Sequence, residues 1–314
     1  MSVPSTNSKS GSAKASVIGT VRVGELDIAH EAFGSSERPT ILLVMGLATQ
    51  LLGWPEPFCE LLVDQGFHVV RFDNRDVGLS THLDGAGMPN LGAILSGQPP
   101  AYRLDDMADD TVGLLDGLGI DTAHLVGASM GGMIAQAVAI RYPERVRSLT
   151  SIMSTPGPHA GRPTPEAEAA LLLPPPKNRE AAARRAVEVF RVIGSPGYPL
   201  DEQRVAETAR LSYDRAHDPA GVARQLAAVV AAADRTPRLR EVRVPTLVVH
   251  GEDDPLIGVD GGRATAEAVP GSRLLVFPGM GHDLPEALYG PITTAIGALA
   301  AQADVSPSNG KRDP

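Results

Sequence analysis

Ser129 lies in Gly127-Ala128-Ser129-Met130-Gly131, straight after the apolar run 123–126 and straight before a helical pattern. A serine at the apex of a strand–turn–helix can serve as a nucleophile, provided its flanks are small. Gly127 and Gly131 have no Cβ to clash where strand and helix cross, and Ala128 adds little. Such a turn strains the serine backbone and lifts the hydroxyl clear of the sheet edge. The helix that follows favours negative charge at its N-terminus, so the Met130 N–H is one expected oxyanion donor. Alone, the pattern also fits a glycine-rich strand–helix turn. The base, its orienter and the second donor must come from elsewhere.

A serine hydroxyl is a poor nucleophile until a base takes its proton. Among eight histidines, His282 is the expected base, in the loop Gly279-Met280-Gly281-His282-Asp283 after the last strand pattern. His30, His68, His124 and His250 sit within or at the ends of strand patterns, as packed residues do. His82, His159 and His217 fall in loop or insertion regions, and nothing singles them out. The base needs a carboxylate to fix its tautomer. Glu252-Asp253-Asp254 follow a strand directly, and Asp254 is the expected orienter because Pro255 stiffens the chain after it. Asp253 is its rival and Glu252 a weaker third; a solvated acidic turn would also account for them. The other strand that could carry an acid, 146–153, is followed by Ser154 and Thr155. The second oxyanion donor is expected at the Leu47 N–H, in Met45-Gly46-Leu47 after the strand 41–44.

Alternating strands and helices must position these groups. Residues 17–23 and 26–33 read as an edge hairpin around Gly24. Strands are expected at 41–44, 68–72, 123–126, 146–153, 246–250 and 273–277, with helices at 54–65, 104–118, from Met130 to about 142, at 262–269 and at 285–302. That alternation implies a mostly parallel central sheet with helices on both faces, whose catalytic loops gather at the strands' C-terminal ends. Residues 156–240 carry helical patterns near 179–193, 201–211 and 219–233 and no strand pattern, as a helical cap insertion would. Leu171, Leu172 and Leu173 are candidates for its apolar underside. The chemistry is expected to belong to the core and the choice of ester to the cap. The resulting division is a core in two parts, 17–155 and 241–302, the cap at 156–240, and disordered tails at 1–16 and 303–314.

Composition narrows the function classes. The chain has 314 residues and a formal charge of −9, with no long basic run, so nucleic acid is not an expected partner. The single cysteine, Cys59, lies in an apolar helical pattern and reads as core; no intrachain disulfide can form, which fits a cytoplasmic location. No apolar stretch reaches membrane-spanning length. No clustered metal ligands and no phosphate-binding or dinucleotide loop stand out, so neither a metal nor a cofactor is expected.

The elbow at Ser129 and the order Ser129, Asp254, His282 resemble the α/β-hydrolase fold serine hydrolases over about 17–302. Asp73 to Ser80 is similar to that family's Asp-x-Arg-Gly-x-Gly-x-Ser loop, with Asp76 where the pattern has Gly. This loop reads as bracing for the site rather than as a source of catalytic acids. Met45-Gly46 stands where many members have His-Gly. Val44-Met45-Gly46, Gly53-Trp54-Pro55, Phe72 to Asp76 and Gly279 to His282 resemble the actinobacterial lipase/esterase and aclacinomycin methylesterase branch. The resemblance implies a cofactor-independent carboxylic ester hydrolase acting through an acyl-enzyme on a small-molecule ester with an apolar acyl or alkyl group. The alternatives are a perhydrolase or cofactor-free haloperoxidase with the same triad, and a non-catalytic ligand-binding member of the fold. A dehalogenase is disfavoured, since its elbow would carry a carboxylate.

Overall fold

The first turn among the described residues is made at Gly24, whose φ of +55° suits a residue without a Cβ. It joins β1 (Ser16–Val23) to β2 (Leu26–Phe33). A computed structural model describes residues 16–305; residues 1–15 and 306–314 of the expected tails lie outside the described residues, whereas Ser16 opens β1 and 303–305 end α11 instead of belonging to a tail. After β2 come β3 (Thr40–Val44), α1 (Glu56–Asp64), β4 (His68–Phe72), α2 (Leu91–Leu95) and α3 (Leu104–Gly117). The elbow is formed by β5 (Ala123–Ala128) and α4 (Met130–Arg141), and β6 (Val146–Ile152) follows. Between β6 and the next strand run α5 (Pro165–Leu171), α6 (Arg179–Ile193), α7 (Glu202–Arg215), α8 (Pro219–Val230) and α9 (Thr236–Leu239). The chain then forms β7 (Thr246–Gly251), α10 (Val259–Ala268), β8 (Arg273–Phe277) and α11 (Tyr289–Val305).

The strands form one sheet in the order β1-β2-β4-β3-β5-β6-β7-β8. The β1–β2 and β2–β4 pairs are antiparallel and every later pair is parallel. Side chains alternate along each strand, so β3 feeds two cores. Ile41 and Leu43 pack with Phe58, Cys59 and Leu62 of α1 and with Ile292, Ile296 and Leu299 of α11. Leu42 and Val44 pack with Met107 and Leu114 of α3 and with Ile134 and Val138 of α4. Full burial of each such side chain contributes roughly 1.5–3 kcal/mol. Continuous apolar strands are the sequence signature of a parallel sheet covered on both faces. Cys59 is core, as its pattern predicts.

Several boundaries differ from the sequence expectation. The last helix starts at Tyr289, after a short turn at 286–288 that follows Pro285. Gly261 and Gly262 lie inside α10 rather than opening it; a Cβ at Gly262 would strike the His250 ring. Helices α2, α5 and α9 were not anticipated, being too short to show a period. Leu172 and Leu173 are 61% and 38% exposed, so they do not form an apolar underside. Among the described residues, no helix is long and apolar enough to cross a membrane.

Candidate active site

The elbow is tight for the reason its glycines suggest. A Cβ at Gly127 would fall on the Gly131 carbonyl, and a Cβ at Gly131 on the Val44 carbonyl. Ser129 has φ +57° and ψ −123°, and its N–H donates to the Ile152 carbonyl at 2.9 Å. Positive φ at a non-glycine residue costs of order 1–3 kcal/mol and persists only where the surroundings over-determine it.

The Ser129 Oγ lies 3.0 Å from His282 Nε2, and His282 Nδ1 lies 2.8 Å from Asp254 Oδ2. An ionised carboxylate only accepts, so Nδ1 carries the proton and Nε2 of the neutral ring faces the serine as an acceptor. The other oxygen of Asp254 accepts the Leu256 and Ile257 N–H groups, both at 2.9 Å. Pro255, which has no N–H to offer, stands inside that small turn. Asp253 does something else: its carboxylate accepts the Gly279 N–H at 2.8 Å, bracing the histidine loop. Glu252 is exposed.

The histidine loop is also held by the end of α6 and the chain after it. The His282 N–H donates to the Ile193 carbonyl at 2.7 Å, the Gly281 N–H to the Ser195 hydroxyl oxygen at 2.8 Å, and the Gly197 N–H to the Gly279 carbonyl at 2.8 Å. The Ser195 hydroxyl donates in turn to the Asp283 carboxylate. Burial pushes the Asp283 carboxyl above its usual range, against the lowering effect of Ser195.

Met45-Gly46-Leu47 runs beside the serine. A Cβ at Gly46 would sit 3.0 Å from the Ser129 Cβ, so only glycine lets this loop lie so close without displacing a neighbour. Asn74 Nδ2 donates to the Met45 carbonyl at 2.9 Å, and the Ala48 N–H donates to Gln225 Oε1 at 3.0 Å. The Leu47 N–H follows Gly46 in this loop, and the Met130 N–H opens α4 directly after Ser129.

The 73–80 loop is a brace. Asp73 is fully buried and accepts the Leu51 N–H at 2.7 Å, the Leu79 N–H at 2.9 Å and the Arg215 guanidinium. Asp76 takes φ +69°, a conformation natural to the Gly of the similar pattern, and Asp is among the residues that tolerate it. Its buried carboxylate is matched by Arg224 of α8, at 2.7 and 2.8 Å. One atom each from Asp76, His82 and Asp218 lie within 4.8 Å of one another, as metal ligands could. Arg224 already donates to both carboxylates there, so its guanidinium supplies the positive charge. His30, His68, His124 and His250 are buried and none is hydrogen-bonded to Ser129; His250 lies beside the triad acid, its Nε2 3.7 Å from Asp254 Oδ2 and 2.8 Å from the Ile257 carbonyl, and burial lowers the pKa of all four.

Sequence reasoning missed Gln225, Ser195, Arg215 and Arg224. The one available signal was Arg224-Gln225, a polar pair inside the otherwise small and apolar Pro219–Val230.

The sequence matches the alpha/beta hydrolase fold family over residues 39–286. It is 29% identical to rhodomycin D methylesterase of Streptomyces peucetius over 90% of this chain and 97% of that one. It is 27% identical to a 3-oxoadipate enol-lactonase of Acinetobacter baylyi, over 82% and 87% of the two chains. The solved structure of a thermophilic esterase from Thermogutta terrifontis is similar, with a TM-score of 0.67 at 26% identity over 91% of this chain and 99% of that one. With a match that spans most of its length, the chain belongs to the alpha/beta hydrolase fold family.

Proposed function

We propose that the protein is a serine hydrolase that cleaves small-molecule carboxylic esters through an acyl-enzyme. The observation that carries this reading is the chain of hydrogen bonds from Ser129 to His282 at 3.0 Å and from His282 to Asp254 at 2.8 Å. The Ser129 Oγ attacks the ester carbonyl carbon while His282 Nε2 takes its proton, and Asp254 stabilises the imidazolium. The Leu47 and Met130 N–H groups hold the oxyanion of the tetrahedral intermediate, a contribution of about 3–4 kcal/mol per fixed donor. The intermediate collapses, and His282 protonates the departing alkoxide. Water, deprotonated by the same ring, then attacks the acyl carbon; the bond to Ser129 Oγ breaks, His282 returns the proton to that oxygen, and the acid departs.

Two relatives, a methylesterase and an enol-lactonase, are named for the cleavage of an ester bond, which supports this reading. In it, residues 156–240 form a cap, and the preferred acyl or alkyl group is apolar. A cytoplasmic location accords with Cys59, which is buried and free. The test is labelling of Ser129 by a fluorophosphonate together with steady turnover of a short-chain p-nitrophenyl ester. Ser129→Ala should remain folded by circular dichroism and lose on the order of 10⁴–10⁶ in kcat. Near wild-type turnover by that variant would refute the reading. So would tight ligand binding by an unlabelled, inactive wild-type protein. A peroxide-dependent halogenation exceeding ester turnover would favour the perhydrolase instead.

A further inference from the structure

The loop bearing the Leu47 N–H is fixed from two sides, one in the core and one outside it. Peptide units are rigid planes, so an N–H is aimed by fixing the peptides on either side of it. On one side, Asn74 holds the Met45 carbonyl at 2.9 Å. On the other, Gln225 Oε1 of α8 accepts the Ala48 N–H at 3.0 Å. Thr49 closes the turn between them, its N–H donating to the Gly46 carbonyl at 3.3 Å and its hydroxyl to the Leu47 carbonyl at 3.0 Å.

Ala48 has φ +60°. The left-handed region costs an alanine roughly 1–2 kcal/mol, so this loop needs an external hold. Gln225 can supply it because its own amide is immobile. The side chain is fully buried, and its Nε2 donates to the Arg75 carbonyl at 2.8 Å. A buried glutamine that merely satisfies two backbone groups would also look like this. The difference is location: its acceptor oxygen bonds the peptide next to the one carrying the Leu47 N–H.

We infer that Gln225 is a positioning residue for ester hydrolysis, its bond to the Ala48 N–H fixing the orientation of the Leu47 N–H for the oxyanion formed at Ser129. The inference rests on the proposed function. It also changes the expected division of labour, because the cap then supplies part of the geometry of the chemical step.

Gln225→Met keeps the volume and removes both hydrogen bonds. The expected result is a kcat for p-nitrophenyl acetate about 10- to 100-fold lower, with KM within about 3-fold of wild type. The Ki of an alkyl trifluoromethyl ketone, which adds to the serine to give a tetrahedral oxyanion, should rise by the factor by which kcat/KM falls. A purely structural role would lower the melting temperature but leave kcat and Ki of the folded protein unchanged, and that result overturns the inference. A loss carried wholly by KM overturns it too. If Gln225→Met does not fold, Gln225→Glu decides. Its protonated carboxyl keeps an acceptor for Ala48 and a donor for Arg75, whereas its ionised form puts negative charge beside the oxyanion. Its kcat at pH 9, where the carboxyl is ionised, should be about 10-fold or more below wild type, with the ketone Ki raised by the same factor; wild-type values of both overturn the inference. Failure of the wild-type protein to turn over any ester would strike the proposed function instead. Ketone addition needs no turnover, so the ratio of ketone affinities would still test Gln225.

Discussion

The backbone N–H of His282 donates to the carbonyl of Ile193 at 2.7 Å, so the last residue of α6 holds the loop that carries the imidazole. Ser195, two residues on, extends the clamp by accepting from the Gly281 N–H and donating to the Asp283 carboxylate. Ser195→Ala would leave a buried N–H without a partner and Asp283 with one partner fewer. An unsatisfied buried group costs about 1–3 kcal/mol. Thermal denaturation should show a loss of that size, and kcat for a p-nitrophenyl ester should fall along with it. Unchanged stability and rate would mean that this strap does not hold the histidine loop.

Asp254 and Asp253 are neighbours with different partners, His282 for one and the Gly279 N–H for the other. Asp254→Asn retains an oxygen for the Leu256 and Ile257 N–H groups but can favour the wrong imidazole tautomer, at a cost of roughly 10⁴ in kcat. Asp253→Asn still offers an oxygen to Gly279 and should stay within about 10-fold of wild type, since it replaces one acceptor by another. Steady-state rates of the two purified variants at neutral pH make the comparison. If their severities were exchanged, the orienting acid would be Asp253.

What the sequence disclosed about the site was the part set by local sterics. Gly127 and Gly131 leave room for only one kind of turn, and that turn exposes Ser129. His282 and Asp254 could be brought forward as candidates because a parallel sheet gathers the loops at its strands' C-terminal ends, and the two side chains meet at 2.8 Å. The bracing role of the 73–80 loop was legible from its turn-rich polarity. Arg224 and Gln225 showed only as a polar pair in an apolar helix, and Ser195 not at all, because each acts on a partner far away in sequence. Leu172 and Leu173 misled because an apolar triplet carries no sign of which side faces the core. Helix α5 had a local signal after all, since Thr164 caps it by accepting the Ala167 N–H at 3.2 Å and Pro165 opens it.

Arg224 and Asp76 form a buried pair, with side chains 1% and 0% exposed. Losing one partner of such a pair strands a buried charge, at about 3–5 kcal/mol. Arg224→Met should therefore lower the unfolding free energy by that order. Asp76→Gly in the same background should recover much of the loss, because it removes the stranded carboxylate and suits the φ of +69°. Urea denaturation of the two single variants and the double variant measures the coupling. Strict additivity would show that the ion pair does not link the 73–80 loop to α8.

His124 makes the fold sensitive to acid. It is buried, with Nδ1 2.9 Å from the Ser148 hydroxyl and Nε2 3.2 Å from an Asp304 carboxylate oxygen that also pairs with Arg147 at 2.7 Å. Burial lowers its pKa from 6.5 to about 4, with Asp304 opposing and Arg147 assisting. The unfolded chain therefore binds a proton between pH 6.5 and about 4 that the folded chain refuses. Stability is full above the unfolded value and declines as pH falls through this window, by up to about 3 kcal/mol. His30, His68 and His250 are lowered by burial in the same sense, so their effects add to the decline. His124→Gln keeps a hydrogen-bonding group near Ser148 but has no proton to gain. Its urea midpoint should depend less steeply on pH in this window than that of the wild-type protein, whatever its offset at neutral pH. Parallel profiles for the two proteins would assign the acid sensitivity to other groups.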